Sequence, residues 1–170
     1  MKRPLTLGIA LAGCAVIAFT AMMRPVPKLI WNASASVPIG LYVVEPIPSP
    51  TLGDLVVVNP PRLLSDFLAQ GGYVPQGVPL IKPLAALPGQ QVCRIGRAIK
   101  VDGIVVGAAL VRDSLGRLLP TWKGCVRLAE GQVFLFNPAA RASLDGRYFG
   151  PLASASIVGR ARPIWTRAAD

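Results

Sequence analysis

From Leu5 to Met23 no charged residue interrupts an apolar run, and roughly 20 apolar residues cross the hydrocarbon core of a bilayer as a helix. Lys2 and Arg3 precede the run and Arg24 follows it. A cleaved secretory signal is the competing reading. Its apolar core is only about 7 to 15 residues long, so the length favours a permanent anchor. Leu11-Ala12-Gly13-Cys14 has the composition of a lipoprotein processing box, but the residues after Cys14 stay apolar instead of becoming a polar tether. The plan that follows is an anchor over residues 1–23 and one domain over residues 24–170, because a chain of 170 residues has no room for two further cores.

Flanking charge leaves the orientation open, since Lys2 and Arg3 are nearly balanced by Arg24 and Lys28. Cysteine usage is the better guide. Besides Cys14 there are two, Cys93 and Cys125, and an even pair is compatible with a disulfide in an oxidising compartment. Two unpaired buried thiols would look the same in sequence. The pair favours an extracytoplasmic domain. The net charge of +10, from 18 basic against 8 acidic residues, invites a nucleic-acid reading. The basic residues are spread singly, without the clustering and aromatic interleaving of nucleic-acid surfaces, so no nucleic-acid partner is expected. Attraction to anionic lipid headgroups is the simpler use of the charge.

Arg24 to Leu29 reads as a short stiff exit from the bilayer, rich in proline and lysine. Short runs rich in valine and isoleucine follow, at Leu41 to Val44 and Leu55 to Val58, and read as strands. Apolar i, i+4 pairs after Asn59-Pro60-Pro61, stopped by Gly71-Gly72, predict one soluble helix over Pro61 to Gln70. Asp102-Gly103 between apolar positions in Val92 to Val106 is a two-residue hairpin signal. Val133 to Phe136 and Ser156 to Ile164 complete the strands, while Arg112 to Lys123 has no period and reads as a loop or flap. With 17 glycines and 17 prolines the chain suits many short strands joined by tight turns. The fold class is mainly β.

Histidine is absent, which removes the Ser/His/Asp triad, the Cys/His pair and most zinc sites together. A hydrolase here needs another base, and no metal or cofactor is expected. Lysine serves once burial lowers its pKa. Lys82 stands in Val78-Pro79-Leu80-Ile81-Lys82-Pro83-Leu84-Ala85-Ala86-Leu87, the longest apolar neighbourhood of any lysine in the domain. Snorkelling from a strand edge is the plainer use of such a residue. Asn32-Ala33-Ser34-Ala35-Ser36-Val37-Pro38-Ile39-Gly40-Leu41-Tyr42 offers two serines in alternation ahead of the first strand. Read by itself it is a turn.

Ser36-Val37-Pro38-Ile39-Gly40-Leu41-Tyr42 resembles the nucleophile segment of bacterial type I signal peptidases, and specifically of their conjugative-transfer, TraF-type branch. Leu80 to Gly89 resembles the lysine box of that family, in which the base precedes an apolar run ending in Pro-Gly. Gly53-Asp54-Leu55-Val56-Val57 resembles the intervening strand motif. Ser143-Leu144-Asp145-Gly146-Arg147-Tyr148-Phe149-Gly150 resembles the late Ser-x-Asp-Ser-Arg box. The boxes occur in the family's order. Two positions depart from it: Gln90 stands where Asp is usual, and Gly146 where Ser is usual.

The resemblance implies a signal-peptidase-like β domain carrying a Ser/Lys dyad, with Ser36 as nucleophile and Lys82 as general base. It implies that Ser34 supports the oxyanion and that Ser143 orients the lysine amine. Val37, Leu80 and Ile81 are implied pocket walls. Asp145 and Arg147 are expected to be structural, as a charge-assisted pair holding the loop or as an ordinary surface pair. The implied substrate is an exported precursor with small residues before the cut, in the conjugative branch a pilin precursor, met at the lipid bilayer. The implied location is the bacterial inner membrane, single-pass, with the domain on the periplasmic side. The rival from another class is a non-catalytic anchored β-domain that assembles into an envelope secretion or transfer apparatus.

Overall fold

The fold is that of a computed structural model describing residues 3–22 and 28–167. Met23, Arg24 and the rest of the stiff exit up to residue 27 lie outside the described residues, as do residues 168–170. The first element is a helix, α1 (Arg3–Met22), whose described side chains between Thr6 and Phe19 are all exposed. Counting only described residues, no helix is long and apolar enough to cross a membrane. The span expected over Leu5 to Met23 therefore rests on sequence alone.

The remaining elements are β1 (Leu29–Asn32), β2 (Ile39–Glu45), β3 (Leu55–Val58), α2 (Arg62–Gln70), β4 (Leu80–Ala86), β5 (Gln91–Ile95), β6 (Ala98–Val101), β7 (Ile104–Ala108), β8 (Gly124–Arg127), β9 (Gln132–Leu135), α3 (Gly146–Phe149), β10 (Leu152–Ala153) and β11 (Ile157–Arg167). They build a seven-stranded sheet in the order β1-β2-β11-β3-β4-β9-β10 and a four-stranded sheet in the order β7-β6-β5-β8. The class is mainly β.

Local chemistry explains several elements. Pro61 stands just before the first turn of α2, with its carbonyl accepting the Ser65 N–H, and the N–H groups of Gly71 and Gly72 close the helix on the Phe67 and Ala69 carbonyls. Val101 pairs with Ile104 across Asp102 (φ 47°) and Gly103 (φ 83°). Positive φ at both central residues is what a two-residue hairpin turn of the right twist demands. Cys93 and Cys125 lie directly opposite one another on β5 and β8 and are joined as a disulfide.

β4 has no alternating pattern in the sequence, and its Pro83 argues against a central strand, yet it lies between β3 and β9. Pro83 is accommodated where Leu55 begins β3, and the register to β9 shifts between Leu84 and Ala86. Val57 and Ile81 face each other in one apolar cluster with Val37, Tyr42 and Ala161. Lys82 lies opposite Val56 on the other side of the pleat. A second cluster, with Val56, Val58, Leu84, Val133 and Leu135, and a third, with Val92, Ile99, Phe134 and Phe136, complete the core.

Arg112 to Lys123 is an irregular loop folded around Asp113, whose carboxylate accepts bonds from the N–H groups of Leu115 and Arg117, from Arg117 Nε (2.6 Å) and from Tyr73 Oη (2.6 Å). Those bonds, the tyrosine's first, hold the Asp113 carboxyl down to about 2. Arg117 also donates to the Gly71 carbonyl, so the loop clips the end of α2.

Candidate active site

Ser36 sits in the turn between β1 and β2, and buried Asn32 at the end of β1 shapes that turn. Its Nδ2 donates to the carbonyls of Ser34 (2.9 Å), Val37 (3.0 Å) and Pro38 (3.0 Å). Its Oδ1 accepts from the Ser34 N–H (3.2 Å) and the Ser34 hydroxyl (3.0 Å). Tyr42 Oη donates to the Pro38 carbonyl at 2.6 Å, closing the turn from β2. Ser34 Oγ and Ser36 Oγ are 3.0 Å apart. Because a serine has a single hydroxyl proton and Ser34 gives its own to Asn32, the proton between the two serines belongs to Ser36.

Lys82 is the opposite case. It is 4% exposed, projects from the central strand β4, and donates from Nζ to Ser143 Oγ at 2.9 Å, itself buried. Burial, opposed by the Asp145 carboxylate and assisted by the Arg147 guanidinium, brings its pKa down to about 8. The neutral amine is therefore accessible near physiological pH. Among the described residues Lys82 and Ser36 are not hydrogen-bonded to each other.

Both side chains line one cavity of about 620 Å³, together with Ser34 and Ser143. Leu80 and Ile81 are in its wall. Val37, expected there too, is not among the lining residues: it packs in the core against Tyr42, Val57 and Ile81. The residue after the serine turns inward and anchors the segment. Among the described residues no three His, Cys, Asp or Glu side chains converge.

Asp145 and Arg147 are no surface pair. They are 0% and 2% exposed, joined through Nε–Oδ1 (2.7 Å) and Nη2–Oδ2 (2.8 Å). Arg147 spends its other donors on the carbonyls of Asn137 (2.7 Å), Ala140 (3.1 Å) and Arg141 (3.0 Å). A buried ion pair needs such extra bonds to offset its desolvation. The loop from Asn137 to Ser143 is thus wrapped around the guanidinium, and Ser143 is presented to Lys82.

Both departures from the family pattern have local explanations. Gln90 accepts from the Leu87 N–H (2.9 Å) and donates to Asp102 (2.8 Å), closing its turn and pinning the β6–β7 hairpin. At Gly146 a Cβ would stand 2.5 Å from Phe134 and 2.7 Å from the Leu135 carbonyl oxygen, so no side chain fits.

Two residues given no role by sequence are Asn32 and Asn137. The Asn137 Nδ2 donates to the Ser36 carbonyl (2.5 Å). Asn32 stood inside the serine segment, and its burial was the missing signal. Asn137 follows the buried Phe136 and precedes Pro138, which reads as an ordinary strand-ending turn.

Residues 2–166 match the family described as signal peptidase, peptidase S26. The chain is 37% identical to the conjugal transfer protein TraF of Agrobacterium fabrum over 94% of this chain and 91% of that one. It is 28% identical to a plasmid transfer protein TraF of Escherichia coli over 98% of this chain and 97% of that one. A crystal structure of a signal peptidase I from Enterococcus faecalis overlaps with a TM-score of 0.40 at 22% identity, covering 67% of this chain and 97% of that one.

Proposed function

The chain belongs to the signal peptidase, peptidase S26, family, and from that premise we propose that it is a membrane-anchored serine endopeptidase cleaving leader segments from exported precursors. One observation carries the reading: a buried lysine with its pKa lowered to about 8 shares a cavity with an accessible serine. The neutral Lys82 amine takes the Ser36 hydroxyl proton as Oγ attacks the scissile carbonyl. The oxyanion is met by the Ser36 N–H and by the Ser34 hydroxyl, which turns from Asn32 to do so. The Lys82 ammonium then protonates the leaving amine, and water resolves the acyl-enzyme with Lys82 again as base.

Residues 1–23 serve as the anchor and residues 24–170 as the periplasmic domain. Trp31 and Trp165, stacked at 5.9 Å and both 57% exposed, support a bilayer beside the domain, because tryptophan favours the membrane interface. The conjugal and plasmid transfer relatives support a role in conjugative transfer, and the substrate proposed within that role is a pilin precursor. Incubating detergent-solubilised full-length protein with a pilin precursor and reading the products by mass spectrometry tests the whole reading. Wild type should cut once and Ser36→Ala should not; equal cutting by both removes Ser36 as nucleophile.

A further inference from the structure

The hydrogen bonds of Asn32 are internal to the serine turn, so they give it a shape without fixing its place relative to Lys82. One hydrogen bond among the described residues leaves residues 33–38 for the loop that carries Ser143: Asn137 Nδ2 to the Ser36 carbonyl, across 101 positions of sequence. The other polar groups of Asn137 are committed on the far side. Its N–H donates to Asp145 Oδ2 (3.1 Å), its carbonyl accepts from Arg147 Nη2 (2.7 Å), and its Oδ1 accepts from the Ala139 N–H (2.9 Å). With Oδ1 facing an N–H and Nδ2 facing a carbonyl, the amide has one consistent orientation.

We propose that Asn137 is a positioning residue that holds the nucleophile in register with the base, by tying the Ser36 peptide to the buried Asp145–Arg147 pair. The proposal rests on Ser36 and Lys82 being the reacting pair. A bond to the Ser36 carbonyl restrains rotation about that residue's own Cα–C bond. It therefore fixes where its Cβ–Oγ arm starts. The same ion pair presents Ser143 to Lys82 and acts on the lysine's charge, so Asn137 refers both reacting groups to one rigid anchor. A displacement of about 1 Å between reacting atoms costs on the order of a hundredfold in rate, and although Val37 seats the next residue in the core against Ile81, the Ser36 hydroxyl itself is held otherwise by an exposed bond to Ser34.

Asn137→Asp keeps an oxygen for the Ala139 N–H and removes the donor. Asn137→Ser replaces the amide by a shorter hydroxyl, which still accepts from the Ala139 N–H but is too short to take the place of Nδ2 at the Ser36 carbonyl, and adds no charge. The test measures kcat, KM, the pH profile and the melting temperature of full-length wild type and both variants, using a fluorogenic peptide with alanine at the first and third positions before the cut. Both variants should lose about 10- to 100-fold in kcat with KM within about threefold and unchanged melting. The Asn137→Ser inflection should stay near about 8, since the groups acting on Lys82 are untouched. Variants as fast as wild type overturn the tie. So does a fall in kcat of the uncharged variant that moves the inflection, which would route the effect through Lys82, or one matched by a loss of melting temperature. A wild type that leaves the peptide intact overturns the Ser36–Lys82 reading itself.

Discussion

The two halves of the cavity are built on opposite terms. The serine half is a turn, with Ser34 exposed and Ser36 half-buried, shaped by side-chain bonds to backbone. The lysine half is a strand in the middle of the larger sheet, backed by a fully buried ion pair. The division follows the chemistry. A nucleophile must be reached by a polypeptide, whereas a lysine becomes a base near neutral pH only where its ammonium is poorly solvated. The half that must be open is held by amides, and the half that must be dry is held by the core.

The largest expected effect comes from making the dry half drier. Lys82→Met should abolish cleavage, a loss of at least about 10⁴-fold in kcat on the scale of triad deletions, while raising stability at neutral pH. The sign follows from linkage. With a folded pKa of about 8 against 10.5 unfolded, the unfolded chain binds more protons between those values, so wild-type stability rises with pH across that window. Below it the buried ammonium costs about 3 kcal/mol. Urea melts at pH 7 and pH 10.5 should show the methionine variant ahead at the first and level at the second. A variant less stable at pH 7 would mean that the lysine half is not strained by its charge.

In the open half the expected loss is smaller and confined to catalysis. Ser34→Ala removes one oxyanion donor, worth about 10²- to 10³-fold in kcat, and leaves the Asn32 bonds to the Val37 and Pro38 carbonyls intact. KM and melting temperature should hardly move. If KM rose with kcat unchanged, Ser34 would be binding substrate rather than the transition state.

What was legible in the sequence divides along the same line. Ser34, Ser36, Lys82 and Ser143 stand in short motifs of their own, and the cavity contains all of them. The α2 helix and the β6–β7 turn were legible because their signals are local. β4 was hidden by Pro83 and by burial, which erases alternation. Asn32 and Asn137 were hidden because bonds from side chain to distant backbone leave no periodic trace. Val37 stands in the core and not among the residues lining the cavity because its inward direction depends on the turn that Asn32 and Tyr42 impose. Gly146 shows how a family expectation is overruled by packing. Gly146→Ser would restore the family's usual residue and should destabilise the domain by about 1 to 3 kcal/mol, the range for overpacking, because Phe134 and the Leu135 carbonyl occupy the space. Unchanged thermal melting would mean that the α3 turn yields more readily than a packed core does.

The smallest effect separates what dries the lysine from what aims it. Ser143 Oγ is 2.9 Å from Lys82 Nζ, but the causes acting on the lysine's pKa are burial first, then the charges of Asp145 and Arg147. Removing the hydroxyl should therefore lower the plateau of the pH–rate profile without displacing its inflection. For Ser143→Ala the expectation is about tenfold in kcat, the worth of roughly one hydrogen bond, an unchanged KM, and an inflection still near about 8. Single-turnover cleavage across the alkaline range, for wild type and variant on the same precursor, measures all three. An inflection that climbed toward the solvated value of 10.5 would show that the hydroxyl, and not the surrounding core, keeps the amine neutral. The contrast between an aimed serine and a dried lysine would then collapse into one hydrogen-bonded network, in which Ser143 belongs to the base.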